Sequence, residues 1–116
     1  MKMSSSLPSI LGDHIVMLQT ELQGAQHANW TSFRDRAAAS IETILASVEL
    51  TPTIQRASDQ VHSGCQDLAD ELQNPAAANA TVERIRESTI DALDILESVL
   101  QRSQPSEQAR SLGRGW

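Results

Sequence analysis

An all-α fold, a single-domain antiparallel four-helix bundle, is what this sequence predicts, on three observations. Four apolar stripes keep steps of three and four residues, each closes on a helix-stop signal, and the links between them are short. Such steps stay on one side of a 3.6-residue turn, so each helix carries an apolar face that needs a covering surface. Short links favour antiparallel neighbours. The competing architecture is a long helical hairpin that completes its core by dimerisation.

Residues 1–8 read as a flexible N-terminus. Ser9 is placed to cap the first helix, over about 9–23, whose stripe is Leu11, Ile15, Leu18 and Leu22. Ile10, Val16 and Met17 fall off that stripe, so this helix either lies between two neighbours or meets another chain. Gly24 weakens the helix there. Asn29 is placed to cap a second helix over 29–50, with the stripe Trp30, Phe33, Ala37, Ile41, Ile44 and Val48. One bent helix over 9–50 competes with this, because a single Gly costs only about 1 kcal/mol against Ala.

Thr51-Pro52 is the clearest boundary. Pro at the first helical position needs no backbone donor, and it disfavours helical geometry in the residue before it. The third helix is predicted over 52–73, with Ile54, Val61, Cys65, Leu68 and Leu72 inward. Asn74-Pro75 repeats the device, and an Ala-rich stretch leads into a fourth helix over 76–102, with Val82, Ile85, Leu93, Leu96 and Leu100 inward. The bundle therefore occupies 9–102. Pro105, Gly113 and Gly115 mark 103–116 as a flexible tail, whose final Trp reads as an unconstrained terminus, with docking in a groove on a partner as the alternative.

Composition narrows the function classes. A chain of 116 residues with 40% hydrophobic and 21% charged residues can fold as one soluble domain. Its three aromatics are Trp30, Phe33 and Trp116, so the core is aliphatic and offers few rigid walls for a small-molecule pocket. A net charge of −6 with scattered basic residues points away from phosphate-mediated nucleic-acid binding. One cysteine, Cys65, forms no internal disulfide, which fits the reducing cytoplasm. Secretion through an uncleaved N-terminal signal around Ser4-Ser5-Ser6 is the alternative. No stretch approaches the roughly 20 apolar residues of a membrane span.

No catalytic or metal-ligating set assembles from the spacing. Asp59-x-x-His62 lacks the partner motif of a di-metal bundle, and His62-x-x-Cys65 has no second pair to close a tetrahedral site. No metal and no cofactor are therefore expected, and Cys65 reads as a buried, inert thiol. Arg56 and His62, with five residues between them, resemble the Arg-x(4–6)-His motif of the HEPN ribonucleases, which are also four-helix proteins. That resemblance implies a metal-independent ribonuclease with Arg56 and His62 facing their copies across a dimer.

The fourth helix carries the other candidate site. At about 100° per residue, Glu83, Glu87, Asp91, Asp94 and Glu97 share about a third of its circumference. Ile90 falls within that arc, away from a stripe centred on Leu96. An exposed apolar residue ringed by carboxylates has the anchor-and-rim form of a protein contact. The expected function is a non-enzymatic protein–protein interaction module, an acidic adaptor, chaperone-like or inhibitor protein, with self-association into a homo-oligomer as a further option.

Overall fold

The computed structural model describes residues 9–103. The readings of 1–8, the Ser9 cap, the Ile10 side chain and the tail beyond Ser103 lie outside its described residues. Four helices appear: α1 (Ser9–Gly24), α2 (Trp30–Ala46), α3 (Pro52–Leu72) and α4 (Asn79–Ser103), with a single 3₁₀ turn at His27–Asn29 before α2. Each helix packs on the next, and α4 returns to α1, so the four enclose one core. Facing pairs run in opposite senses: Met17 meets Ser40 and Glu21 meets Arg36 across α1–α2. The antiparallel bundle is closed within a single chain.

The predicted stripes are the core. Leu11, Ile15, Leu18, Leu22, Phe33, Ile44, Ile54, Val61, Leu68, Leu93, Leu96 and Leu100 are each buried. Val82 and Cys65 join them, while Ile85 and Val48 are half-buried at the margin. Burial of such side chains contributes about 1.5–3 kcal/mol each, the main force holding the helices together.

Helices 1 and 2 are separate, and their junction differs from the expected cap. Asn29 makes no cap hydrogen bond to α2. Its Oδ1 accepts from the Gln26 backbone N–H at 2.7 Å, and its Nδ2 donates to the Gly24 carbonyl at 3.0 Å. The side chain therefore stitches the link to the end of α1. The Arg86 guanidinium of α4 takes the neighbouring carbonyls: it donates to Leu22, to Gln23 at 3.2 Å and to Ala25 at 3.1 Å. Nε of the same group donates to the Glu83 carboxylate at 3.2 Å.

Two boundaries move. α2 stops at Ala46, not near 50, because the Ser47 N–H turns back to the Ile44 carbonyl at 3.1 Å and its Oγ donates to the Thr43 carbonyl at 2.8 Å. Pro52 constrains only Thr51, so it could not carry α2 up to itself. α4 begins at Asn79, not 76. Asn74 Oδ1 accepts from Ala76 N–H at 3.0 Å and the Asn74 carbonyl from Ala77 N–H at 3.0 Å, a side-chain-closed turn in place of a helix start. Thr51 does cap α3 as expected, accepting from Ile54 N–H at 3.2 Å.

The α3–α4 contact is close at Gly64. A Cβ added at Gly64 would lie 2.9 Å from Thr89 Cγ2 and nearer still to its Oγ1. Thr89 is itself buried, with Oγ1 donating to the Ile85 carbonyl at 2.8 Å. Gly64→Ala is therefore expected to destabilise by about 1–3 kcal/mol through overpacking, despite the better helix propensity of Ala. Urea denaturation should show a smaller loss when Gly64→Ala is made in a Thr89→Ala background. Arg86→Ala should cost about 2 kcal/mol in the same measurement, through the lost charge-assisted bonds to α1. Arg86→Lys should recover less than half, because an ammonium cannot fork across several carbonyls.

Candidate functional site

The outer side of the tight α3–α4 contact is an open groove of about 420 Å³. Gln60, Ser63, Gly64 and Asp67 form its α3 wall, and Ser88, Asp91, Ala92 and Ile95 its α4 wall. It continues toward the end of α4, where Ile95 and Gln60 also border a recess shared with Thr53, Arg56, Ala57 and Val99. The sequence produces this shape directly. Gly64 lets the helix axes approach, and the small residues Ser63, Ser88 and Ala92 leave the shoulders of the contact unfilled.

Ile95 stands in that groove with 54% of its surface exposed. It is the exposed isoleucine of α4, and Ile90 is not. Ile90 is half-buried and packs against the core on the opposite flank of the helix. The correction has a geometric cause. Averaging over Val82, Leu93, Leu96 and Leu100 moves the centre of the buried stripe about 35° from Leu96, leaving Ile90 about 85° and Ile95 about 135° away. The stripe is thus centred between Leu96 and Leu93, which places Ile95 farthest from the core of the α4 isoleucines.

The acidic arc itself is as expected. Glu83, Glu87, Asp91 and Asp94 are exposed and Glu97 is half-buried. Glu83 is matched by Arg86, whereas Glu87, Asp91, Asp94 and Glu97 have no ion-pair partner among the described residues. Asp91 belongs both to the arc and to the groove, so the carboxylates adjoin Ile95 rather than surrounding Ile90. On α1, Val16 and Met17 are exposed at 59% and 45%, with Met17 Sδ accepting from the Ser40 hydroxyl at 3.5 Å. That helix is thus not sandwiched between two neighbours over its whole surface.

The other sequence candidates do not converge. Arg56 and His62 are both exposed on α3 but face different grooves, Arg56 toward α4 and His62 toward Glu42 and Leu45 of α2. Within one chain they cannot act on one substrate atom. His27 donates its Nδ1 proton to the Leu72 carbonyl at 2.7 Å and so closes the end of α3. His14 Nδ1 is buried and has no hydrogen-bond partner among the described residues. Among those residues no group of three His, Cys, Asp or Glu is arranged to hold a metal ion. No described helix is long and apolar enough to cross a membrane. The chain matches no protein family, no curated protein and no solved structure.

Cys65 is buried in the core, and burial pushes its thiol up from 9.0 to about 12. Unfolded, the thiol ionises near 9.0. Between that value and about 12 the native state keeps a proton that the unfolded chain has released. Stability from this group is therefore complete below about pH 9 and declines as pH rises further. Thiol titration with Ellman's reagent at pH 8 should find Cys65 unreactive until denaturant is added, and its labelling rate should track global unfolding.

Proposed function

We propose that this protein is a non-enzymatic interaction module that binds another protein through the α3–α4 groove and the adjoining acidic face of α4. One observation carries the reading: Ile95 is an exposed, branched apolar side chain set in a groove, with unpaired carboxylates on one side and polar groups on the other. A central apolar anchor inside a polar rim is the usual anatomy of a protein contact. Glu87, Asp91 and Asp94 would steer a basic surface toward the groove, and none of them is ion-paired among the described residues. The buried reduced thiol is compatible with work in the cytoplasm.

Ile95→Asp should leave stability within about 0.5 kcal/mol of wild type, because the side chain is largely in solvent already. Ile90→Asp should cost several times more, since it forces a charge against the core. The decisive comparison is affinity. A partner captured from the native source and identified should bind wild type at least about tenfold more tightly than Ile95→Asp in isothermal titration, a loss of about 1.4 kcal/mol. Equal affinity for a correctly folded Ile95→Asp protein would remove the groove from the contact.

A further inference from the structure

We infer that the α3–α4 groove takes a single amphipathic α-helix of a partner protein, lying parallel to α4. Its central apolar residue meets Ile95, with a Lys or Arg one turn before that residue and an Asp or Glu one turn after it. The inference rests on the groove being the contact surface, and it names what enters that surface.

The form of the groove selects a helix. α3 and α4 approach so closely at Gly64 that nothing enters between them. An occupant therefore lies along the outside of the contact, across Ser63, Ser88 and Ala92. Two cylinders side by side, with small side chains at their shoulders, leave a straight trough that a third cylinder fits. Other ways of holding a peptide need features this trough lacks. Strand addition needs a sheet edge, and every regular element among the described residues is a helix. A polyproline segment needs aromatic walls, and neither Trp30 nor Phe33 lines the groove. A phosphorylated or acidic segment needs clustered arginines, whereas Asp67 and Asp91 stand here.

Charge along the trough fixes the order of the partner's side chains. Asp91 lies four residues before Ile95 on α4, and Arg56 four residues before Gln60 on α3. Gln60 and Ile95 border the same two recesses, so they stand at one level. The two helices run in opposite senses, which puts Asp91 about 6 Å to one side of that level and Arg56 about 6 Å to the other. Asp67 stands at the Asp91 end, so the charged ends of the trough are about 16 Å apart along α3. None of the three is ion-paired among the described residues. A helix repeats its facing side chains every three or four residues, about 5–6 Å. A cation, an apolar residue and a carboxylate at successive turns therefore meet Asp91, Ile95 and Arg56. The partner's direction follows from its dipole: the positive N-terminal end belongs beside Asp67 and Asp91, and the negative end beside Arg56. That direction is parallel to α4.

Two synthetic helical peptides of equal composition provide the probe. One carries Lys, Leu and Glu at successive turns of one face from N to C, and the other carries them in reverse. Followed by backbone amide NMR shifts, titration of the full chain with the forward peptide should move Asp67, Asp91 and Ile95. Its affinity should be about fivefold higher than that of the reverse peptide, from the exposed charge pairs gained and lost. A nitroxide on the N-terminus of the forward peptide should broaden the Asp67 amide more than the Arg56 amide. Arg56→Glu combined with Asp91→Lys, both at exposed positions, should invert the preference between the peptides. Non-specific attraction to an acidic surface is blind to order, so equal affinity for the two peptides overturns the assignment. So does the absence of groove shifts with either peptide. The same shifts on concentrating the protein alone also overturn it, since the occupant would then be a second copy of the chain. Order-blind peptide binding together with partner affinity lost in Ile95→Asp refutes the helix and leaves the module standing. Order-dependent binding, with partner affinity unchanged in Ile95→Asp, supports the helical seat and removes that partner from it.

Discussion

The guanidinium of Arg86 is the polar contact that fixes how α4 closes on the end of α1. A helix end leaves its last carbonyls without intrahelical partners, and many helices meet this with a left-handed residue that folds the chain back. This protein does not: no described residue, Gly24 included, has positive φ. The carbonyls of Leu22, Gln23 and Ala25 are taken instead by Arg86, sixty or more residues later, and that of Gly24 by Asn29. A local problem at the end of α1 is thus solved by a tertiary contact. It is also the contact that brings α4 to α1 and completes the ring of helices. The cation sits at the negative end of the α1 dipole, where its charge is favourable, and Glu83 balances it.

The opposite flank of α4 is governed by size rather than charge. Gly64 and Thr89 bring α3 and α4 so close that any larger residue at 64 would drive them apart. Close approach of two cylinders leaves wedge-shaped spaces outside their line of contact, and small side chains at Ser63, Ser88 and Ala92 cannot fill one of them. Ile95 lies on the rim of that wedge with too few neighbours to be buried. The exposure of Ile95 therefore follows from the packing that stabilises the bundle. That packing fixes the groove on rigid helices, and rigid elements hold a binding surface in register at low entropic cost.

The helical stripes were legible in the sequence because helical period and burial are one signal read twice. Thr51-Pro52 and Asn74-Pro75 show where that legibility ends. Both pair a capping residue with Pro, yet Thr51 binds an N–H three residues on and opens a helix, whereas Asn74 binds one two residues on and closes a turn. The choice is set by which amide the side chain meets, and spacing alone does not encode it. Asn29 and Arg86 were hidden for a further reason, since their partners lie across a chain reversal or on another helix. The exposure of the α4 carboxylates was legible in the sequence, whereas the exposed isoleucine is Ile95 and not Ile90, because the buried stripe is centred about 35° from Leu96.

Charge is distributed differently on the two flanks. Arg86 is one of only six cations among the described residues, and its side chain is 14% exposed, so much of its charge is screened from the surface by Glu83 and the carbonyls of α1. Of the two cations in the first turns of α4, Arg84 stays exposed and Arg86 is turned inward, so the outer face keeps one of them. Like charges spaced four apart on a helix repel mildly, a cost that tertiary packing of the opposite face readily offsets. Ile95 lies about 180° around α4 from Arg86, so the field at its groove is set by Asp67 and Asp91 and not by this cation. The fold rests on the shared aliphatic core, and Arg86 adds to it the contact that closes the end of α1.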